Sequence, residues 1–159
     1  MKTLSHTCRY QLCAYEELSE QDRLLIEAAK SATGHSYAPY SLFQVGAAAR
    51  LEDGTVITGT NQENAAYPSG LCAERTVLFY AGAAYPDKAV VSLAVAAYTN
   101  GDFTQKPVSP CGACRQVMLE MEQRYQQPMR IVLYGTEAVY VIEGGVAELL
   151  PLSFSYSIT

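Results

Sequence analysis

Two short stretches of the sequence combine cysteine with a residue capable of acid–base chemistry. Cys72 stands two residues before Glu74, and Cys111 and Cys114 form a Cys-x-x-Cys pair directly after Pro110. Taken alone, Cys72 fits a buried apolar position and Glu74 fits the solvated face of a helix. The pair taken alone is equally compatible with a redox dithiol, half of a structural zinc site or part of a catalytic zinc site.

Cys72, as a third cysteine, favours the two metal-site interpretations of the pair over the redox dithiol. Cys72 and the Cys-x-x-Cys pair each open a predicted helix, where the positive end of the helix dipole favours thiolates. In an α/β sheet, two successive helices that follow strands can bring their N-termini to the same edge. We therefore expect the sulfurs of Cys72, Cys111 and Cys114 to converge on one metal ion.

The remaining candidate ligands do not complete a structural zinc site. Cys8 and Cys13 lie in a weakly patterned N-terminal segment, and His6 and His35 follow no ligand spacing. A zinc ion with three protein ligands keeps an open position for water, whose pKa the metal brings to about 7. Glu74, two residues from a ligand, is placed to move that water's protons.

Composition limits the class of protein. The chain has 159 residues, a net charge of -5, 49% hydrophobic residues and 17% charged residues, which is typical of one soluble globular domain. Eleven scattered Lys and Arg residues argue against binding to a nucleic acid backbone. No apolar run approaches the roughly 20 residues of a membrane helix, and the N-terminus has no export signal, so we expect a cytoplasmic protein without a membrane partner.

The apolar patterns predict an α/β domain. A hairpin around Asp53-Gly54 is followed by two helix–strand units, which favours a three-layer α/β/α arrangement with a mixed central sheet of about five strands. Extra edge strands are expected within residues 3–15 and at 139–142, and a short helix at 145–150. The main predicted helices span about 19–34, 72–84 and 112–125, and the main strands 43–51, 55–60, 90–97 and 129–134.

The motifs resemble those of a known enzyme family. Cys72-x-Glu74 together with Pro110-Cys111-x-x-Cys114 resembles the signature of zinc nucleoside deaminases. Residues 37–48 and 61–76 are similar to the small homotetrameric cytidine deaminases, and the resemblance runs from about residue 20 to Phe154. It implies an enzyme that hydrolyses cytidine, and 2'-deoxycytidine, to uridine or deoxyuridine plus ammonia in pyrimidine salvage. We expect one such domain over residues 1–159, with 1–18 as an extension of unknown role.

The resemblance also implies a role for each matching residue. Cys72, Cys111 and Cys114 would bind one Zn²⁺ per chain, and Glu74 would protonate N3 of the pyrimidine and then pass a proton to the departing ammonia. A backbone N–H near Ala73 would stabilise developing charge. The other matching positions are Arg75, which would hydrogen-bond the ligand sulfurs, Asn61 and Glu63, which would bind the ribose hydroxyls, and Phe43 and Phe154, which would lie against the base.

Four of these residues also have a simpler structural explanation. Asn61 and Glu63 are also suited to holding a loop together, Phe43 to the core, and Arg75 to the surface. Phe154 would come from a neighbouring subunit, and residues 64–70 resemble intersubunit contacts, so a homotetramer with shared active sites is expected. The sequence after Phe154 departs from the family pattern.

Two other functions fit part of the pattern. A deaminase of a cytosine nucleoside antibiotic, of the blasticidin-S type, uses the same cysteines and glutamate, but the intact segment from Asn61 to Asn64 favours an ordinary ribonucleoside. A non-catalytic zinc-binding interaction domain would keep the ligands. It would have no use for a carboxylate at Glu74.

Overall fold

The computed structural model describes residues 1–156 and contains a mixed sheet covered by helices on both faces. In the sheet the strand order is β1-β7-β6-β4-β2-β3, and β5 pairs with β4. Strands β4 and β6 are parallel, and the other neighbours are antiparallel. The strands are β1 (Gln11–Cys13), β2 (Gln44–Leu51), β3 (Val56–Thr60), β4 (Val90–Thr99), β5 (Asp102–Phe103), β6 (Arg130–Tyr134) and β7 (Val139–Ile142); the helices are α1 (Glu20–Ala32), α2 (Ala73–Ala84) and α3 (Gly112–Tyr125).

The predicted three-layer α/β/α fold is confirmed, with seven strands in place of about five. Helix α1 packs on one face of the sheet, and its Leu25 and Ile26 lie in the same buried cluster as Ala94 and Val132. Helices α2 and α3 share the other face, where Leu78 and Met118 are fully buried in the larger cluster. The two helices that begin at the cysteine motifs are therefore neighbours.

Local sequence explains where the helices begin and how closely they approach the sheet. The Ser19 hydroxyl oxygen accepts a hydrogen bond from the Asp22 backbone N–H at 3.1 Å and caps α1, as predicted. A Cβ atom at Gly46 would stand 2.0 Å from the Ala29 carbonyl oxygen of α1. Glycine at this position of β2 is what lets α1 pack directly on the strand.

The ends of the chain differ from the prediction. The edge strand expected within residues 3–15 is confirmed as β1, but β1 pairs with β7, so β7 is not the edge strand that the sequence predicts. The predicted helix at 145–150 is a single 3-10 turn, Val146–Glu148. Gly145 before it has a φ of 74° and is not helical, and Pro151 disfavours a helical conformation at Leu150.

The N-terminal segment is attached to the body of the domain at several points. The Arg9 backbone N–H donates to the Glu148 carboxylate at 2.8 Å, and its guanidinium lies 3.2 Å from the same carboxylate. The Tyr10 ring packs on the Tyr140 ring with centroids 4.9 Å apart. Within residues 1–156, none of the helices has the length and apolar character needed to cross a membrane.

Candidate metal and active site

The three predicted ligands meet in space. The Sγ atoms of Cys72, Cys111 and Cys114 all lie within 4.8 Å of one another, with 3.8 Å between Cys72 and Cys111 and 3.4 Å between Cys111 and Cys114. Cys72 is the N-cap of α2 and Cys111 the N-cap of α3. The convergence follows from the packing of these two helices side by side on one face of the sheet.

The geometry of the three sulfurs fits zinc. Sulfurs bound to one tetrahedral zinc at about 2.3 Å stand about 3.8 Å apart, close to the two observed separations. Zinc accepts such an all-thiolate set readily, and thiolates are stabilised at helix N-termini. The residues present therefore suit zinc, with Cys72, Cys111 and Cys114 as the ligands.

The electrostatics of the cluster favour a thiolate at Cys72. Hydrogen bonds from the Cys114 thiol and from the Arg75 guanidinium lower the pKa of Cys72 to about 5. The Arg75 Nη2 atom lies 3.6 Å from the Cys72 Sγ atom. The hydrogen bond with Cys72 and the burial of Cys114 raise the pKa of the Cys114 thiol. Arg75 thus contacts the Cys72 sulfur and does not lie free on the surface.

Glu74 is buried beside the cysteines. Its residue surface is 5% exposed, in the first turn of α2. Burial, with a smaller contribution from the charge on Cys72, raises the pKa of its carboxyl group. A solvated helix-face glutamate is therefore excluded as an explanation of this residue.

One cavity connects these groups. Its volume is about 810 Å³, within the range of small-molecule sites. Cys72, Cys111 and Glu74 lie on its wall, and Val95 and Val108 supply apolar surface. The remaining predicted residues on the wall are Phe43, Asn61, Glu63, Ala73 and Arg75. The cavity is therefore lined by two of the three clustered cysteines, a buried carboxyl group and residues expected to contact a substrate, while Cys114 is buried behind the wall.

Asn61 is held by the loop that leads into β2. Its Oδ1 atom accepts from the Val45 N–H at 2.8 Å and from the Ser36 hydroxyl, and its Nδ2 atom donates to the Phe43 carbonyl at 2.8 Å. The loop-holding alternative for this residue is therefore realised. The second N–H of the amide is left for another acceptor.

Glu63 holds the same loop farther along. Its carboxylate accepts from the Tyr40 N–H at 2.8 Å, from the Ser41 N–H at 3.3 Å and from the Ser41 hydroxyl. These hydrogen bonds lower the pKa of Glu63, so the side chain is anionic at neutral pH. Asn61 and Glu63 together fix residues 40–45, which carry Phe43 into the cavity.

Other predicted residues lie away from this cavity. Phe154 is 74% exposed, and its backbone carbonyl accepts from Gln116 Nε2 at 3.0 Å on α3. It is not on the wall of the cavity of its own chain. Cys8 and Cys13 are free and are not in the three-sulfur cluster.

Comparison with known families agrees with this geometry. Residues 19–127 match a model described as the cytidine and deoxycytidylate deaminase zinc-binding region. The chain belongs to this family. The matched region contains the three cysteines, Glu74 and the loop residues Phe43, Asn61 and Glu63.

Named relatives of this deaminase family cover most of the chain. A protein called cytidine deaminase from Halalkalibacterium halodurans is 45% identical over 136 residues, 84% of this chain and 93% of that one. Another from Sporosarcina psychrophila is 44% identical, over 82% and 89% of the two chains. The crystal structure of cytidine deaminase from Burkholderia pseudomallei has a TM-score of 0.70 at 42% identity, over 86% of this chain and all of that one. The chain is therefore classed with the cytidine deaminase enzymes.

Several residues of the cavity wall were not predicted from the sequence. Val95 and Val108 line the cavity, and Tyr40 stands at its mouth with its ring 6.0 Å from that of Tyr67. Val95 could not be distinguished from other members of a buried strand by its pattern. Val108 lies two residues before Pro110, and its closeness to the Pro110-Cys111-x-x-Cys114 motif is the one feature of the sequence that could have indicated a place on the cavity wall.

Proposed function

We propose that this chain catalyses the hydrolytic deamination of cytidine, and of 2'-deoxycytidine, to uridine or deoxyuridine plus ammonia. The observation that carries the proposal is the cluster of three cysteine sulfurs, of which those of Cys72 and Cys111 belong to residues on the wall of a cavity of about 810 Å³ that the buried Glu74 also lines. One zinc ion would be held by Cys72, Cys111 and Cys114. When bound, zinc lowers the pKa of a coordinated water to about 7 and so supplies hydroxide at neutral pH.

Glu74 is assigned the proton transfers. Its carboxyl group lies in the cavity two residues from the ligand Cys72 and is shielded from bulk water. It would donate a proton to N3 of the cytosine ring and deliver a proton to the amino group that leaves C4 as ammonia. Water supplies the oxygen of the product, so one water is consumed for each ammonia released.

The backbone and Arg75 are assigned supporting roles. Ala73 is the first residue of α2, and the first N–H groups of a helix have no acceptor within the helix. Its N–H is available to hydrogen-bond the substrate where negative charge develops. Arg75, at 3.6 Å from the Cys72 sulfur, offsets part of the negative charge of three thiolates.

The loop residues are assigned to recognition of the nucleoside. Phe43 lies on the cavity wall and offers a flat apolar ring to the pyrimidine. The second N–H of Asn61 and the remaining lone pair of Glu63 would bind ribose hydroxyls while their other atoms keep the loop in place.

Charge favours a nucleoside over a nucleotide. Among the described wall residues the charged side chains are Glu63, Glu74 and Arg75, and the Arg75 guanidinium is engaged with Cys72. A 5'-phosphate carries about -1.5 to -2 charges at neutral pH. In this cavity it would lie near the carboxyl groups of Glu63 and Glu74, and the one cation among the described wall residues, Arg75, is already engaged. Cytidine and 2'-deoxycytidine are therefore the proposed substrates, and their phosphates are not.

A shared active site is proposed on the basis of exposed apolar side chains. Tyr37, Tyr40, Leu42 and Tyr67 are each more than half exposed in this chain, and Tyr40 and Tyr67 stand at the mouth of the cavity. Apolar side chains clustered in this way mark a protein contact surface. We propose a homotetramer in which Phe154 reaches the site of a neighbouring subunit.

The proposed cellular role follows from the reaction. A cytoplasmic deaminase of free nucleosides would serve pyrimidine salvage. The proposed domain organisation is one catalytic domain with residues 1–18 as an N-terminal extension. In support, the family match begins at residue 19, and β1 of the extension adds to the sheet edge.

The test is a direct assay on the purified protein. The fall in ultraviolet absorbance as cytidine becomes uridine is followed together with the metal content of the same sample. We expect turnover of cytidine and 2'-deoxycytidine, no turnover of cytidine 5'-monophosphate, and about one zinc per chain. Full activity after exhaustive removal of zinc would contradict the proposal, as would turnover of the monophosphate in preference to the nucleoside.

A further inference from the structure

Arg115 joins the ligand turn, residues 110–114, to the C-terminal segment that follows β7. It directly follows Cys114 in α3, and its side chain makes two hydrogen bonds in different directions. The Nε atom donates to the Pro110 carbonyl at 2.8 Å, and the Nη1 atom donates to the Leu149 carbonyl at 2.6 Å. Pro110 is buried and immediately precedes Cys111. One planar guanidinium therefore links the residue before one ligand with a buried residue close to the chain's C-terminal end.

The position of Arg115 is unfavourable for a cation on local grounds. Helix α3 begins at Gly112, and its first turn contains no acidic residue. A positive charge near a helix N-terminus is disfavoured by the helix dipole. Two carbonyl acceptors offset this cost, so the residue type is explained by the contacts it makes and not by the stability of the helix.

Arg115 contacts the ligand turn at the Pro110 carbonyl. Proline at 110 has no N–H group to donate, so the turn is one backbone hydrogen bond short before Cys111. Cys111 itself is exposed and its side chain makes no capping hydrogen bond. The Pro110 carbonyl is therefore a point at which the turn is held against α3.

We propose that Arg115 is a positioning residue for the metal site, which holds the Pro110 carbonyl so that the Cys111 sulfur meets those of Cys72 and Cys114. Its second hydrogen bond, to Leu149, fixes the guanidinium in the orientation that reaches Pro110. The proposal rests on the proposed zinc site. It concerns geometry, since both carbonyl acceptors are uncharged and the guanidinium spans them as a rigid fork.

Three variants separate geometry from charge and from general destabilisation. Arg115→Met removes both hydrogen bonds and keeps a long apolar side chain. Arg115→Lys keeps the positive charge, but its single ammonium cannot span both carbonyls. Arg124→Met is the matched control, because Arg124 lies on the same helix and donates to the Pro86 carbonyl at 3.1 Å, outside the ligand turn.

The experiment measures zinc affinity by competition with a chromophoric chelator, and the visible spectrum of the cobalt(II)-substituted protein. Loss of a residue that orients metal ligands typically weakens metal binding by about 10- to 100-fold. We expect a loss of that size for Arg115→Met, a loss of about 10-fold or more for Arg115→Lys, and altered cobalt bands for both. Arg124→Met should keep the parental affinity and spectrum.

The outcomes distinguish this proposal from the proposed function. Parental zinc affinity and cobalt bands in Arg115→Lys would overturn it, because the charge alone would then suffice, and Arg115→Lys carries the test if Arg115→Met fails to fold. An equal loss of affinity in Arg124→Met would also overturn it, since general destabilisation would explain the result. A parent chain that binds no zinc would overturn the proposed function itself.

Discussion

Replacement of Asn61 by alanine tests whether this residue holds the substrate loop as well as facing the cavity. Asn61→Ala leaves the Val45 N–H and the Phe43 carbonyl without their side-chain partners, both of which lie at 2.8 Å in the parent. A backbone group left without a partner costs about 1–3 kcal/mol. The half-exposed loop admits some water, so we expect a loss of about 2–3 kcal/mol in the free energy of unfolding.

The stability of the substrate-free protein is the decisive measurement. For a domain of this size, about 2–3 kcal/mol corresponds to a fall in Tm of roughly 4–12 °C. Asn64→Ala is the matched control, because the Asn64 side chain makes one exposed hydrogen bond, to the Ala66 N–H at 2.8 Å. Its loss should cost no more than about 1 kcal/mol.

Kinetics complete the comparison. Because Asn61 fixes the loop that carries Phe43, Asn61→Ala should raise the KM for cytidine and also destabilise the protein. A residue that served as a ribose ligand alone would raise KM and leave unfolding unchanged. Unfolding of Asn61→Ala at the parental denaturant concentration would refute the loop-holding role.

Three further predictions concern the charge of Glu122, the set of metal ligands and the assembly of the chain. Burial raises the pKa of Glu122, although its carboxylate accepts hydrogen bonds from the Met129 and Val146 N–H groups. The stabilising contribution of Glu122 is therefore complete below the ordinary pKa of a glutamate and is lost as pH rises through the raised pKa. Glu122→Gln does not titrate, so its free energy of unfolding should increase relative to that of the parent between pH 4 and pH 7.5. A difference between the two proteins that is the same at both pH values, measured by denaturant unfolding, would contradict this. Joint replacement of Cys8 and Cys13 by serine should leave zinc content unchanged, and a proportional loss by metal analysis would instead support a fourth protein ligand. The active species should sediment as a homotetramer and lose activity on dissociation, so full activity from a proven monomer would rule out a shared site.

Most of the fold was predictable because its signals are local. The Ser19 cap, the Asp53-Gly54 turn and the apolar face of α2 lie within a few residues of the elements they specify. Gly54 has a φ of 88°, as a tight hairpin turn requires. The convergence of the three cysteines was also predictable, because a sheet with two adjacent covering helices brings their N-termini together.

The elements that were missed or misplaced depend on distant partners. Strand β5 has two residues, too few for an apolar alternation to be detected. The position of β7 inside the sheet depends on β1, which pairs with it from more than 120 residues away. No pattern within residues 139–142 distinguishes an edge strand from one with a neighbour.

The details of the site depend on backbone contacts that no motif encodes. The partners of Asn61 are backbone groups at 43 and 45, and those of Glu63 are at 40 and 41. Sequence spacing alone left loop-holding and ribose contact as alternatives for both residues. The sequence contains one local signal for the role of Arg115: it is a cation in the first turn of a helix, where acidic residues are favoured.

The most direct test of the central claim is the turnover of cytidine by Glu74→Gln beside the parent, with zinc content measured for both. Glutamine keeps the size of the side chain but cannot carry the proton, and acid–base catalysis is typically worth about 10²- to 10⁴-fold. Since one carboxylate serves several transfers, we expect a loss of at least about 10³-fold with zinc retained. Glu120→Gln, an exposed glutamate on α3, should behave as the parent. Near-parental turnover in Glu74→Gln would contradict the mechanism proposed for this site.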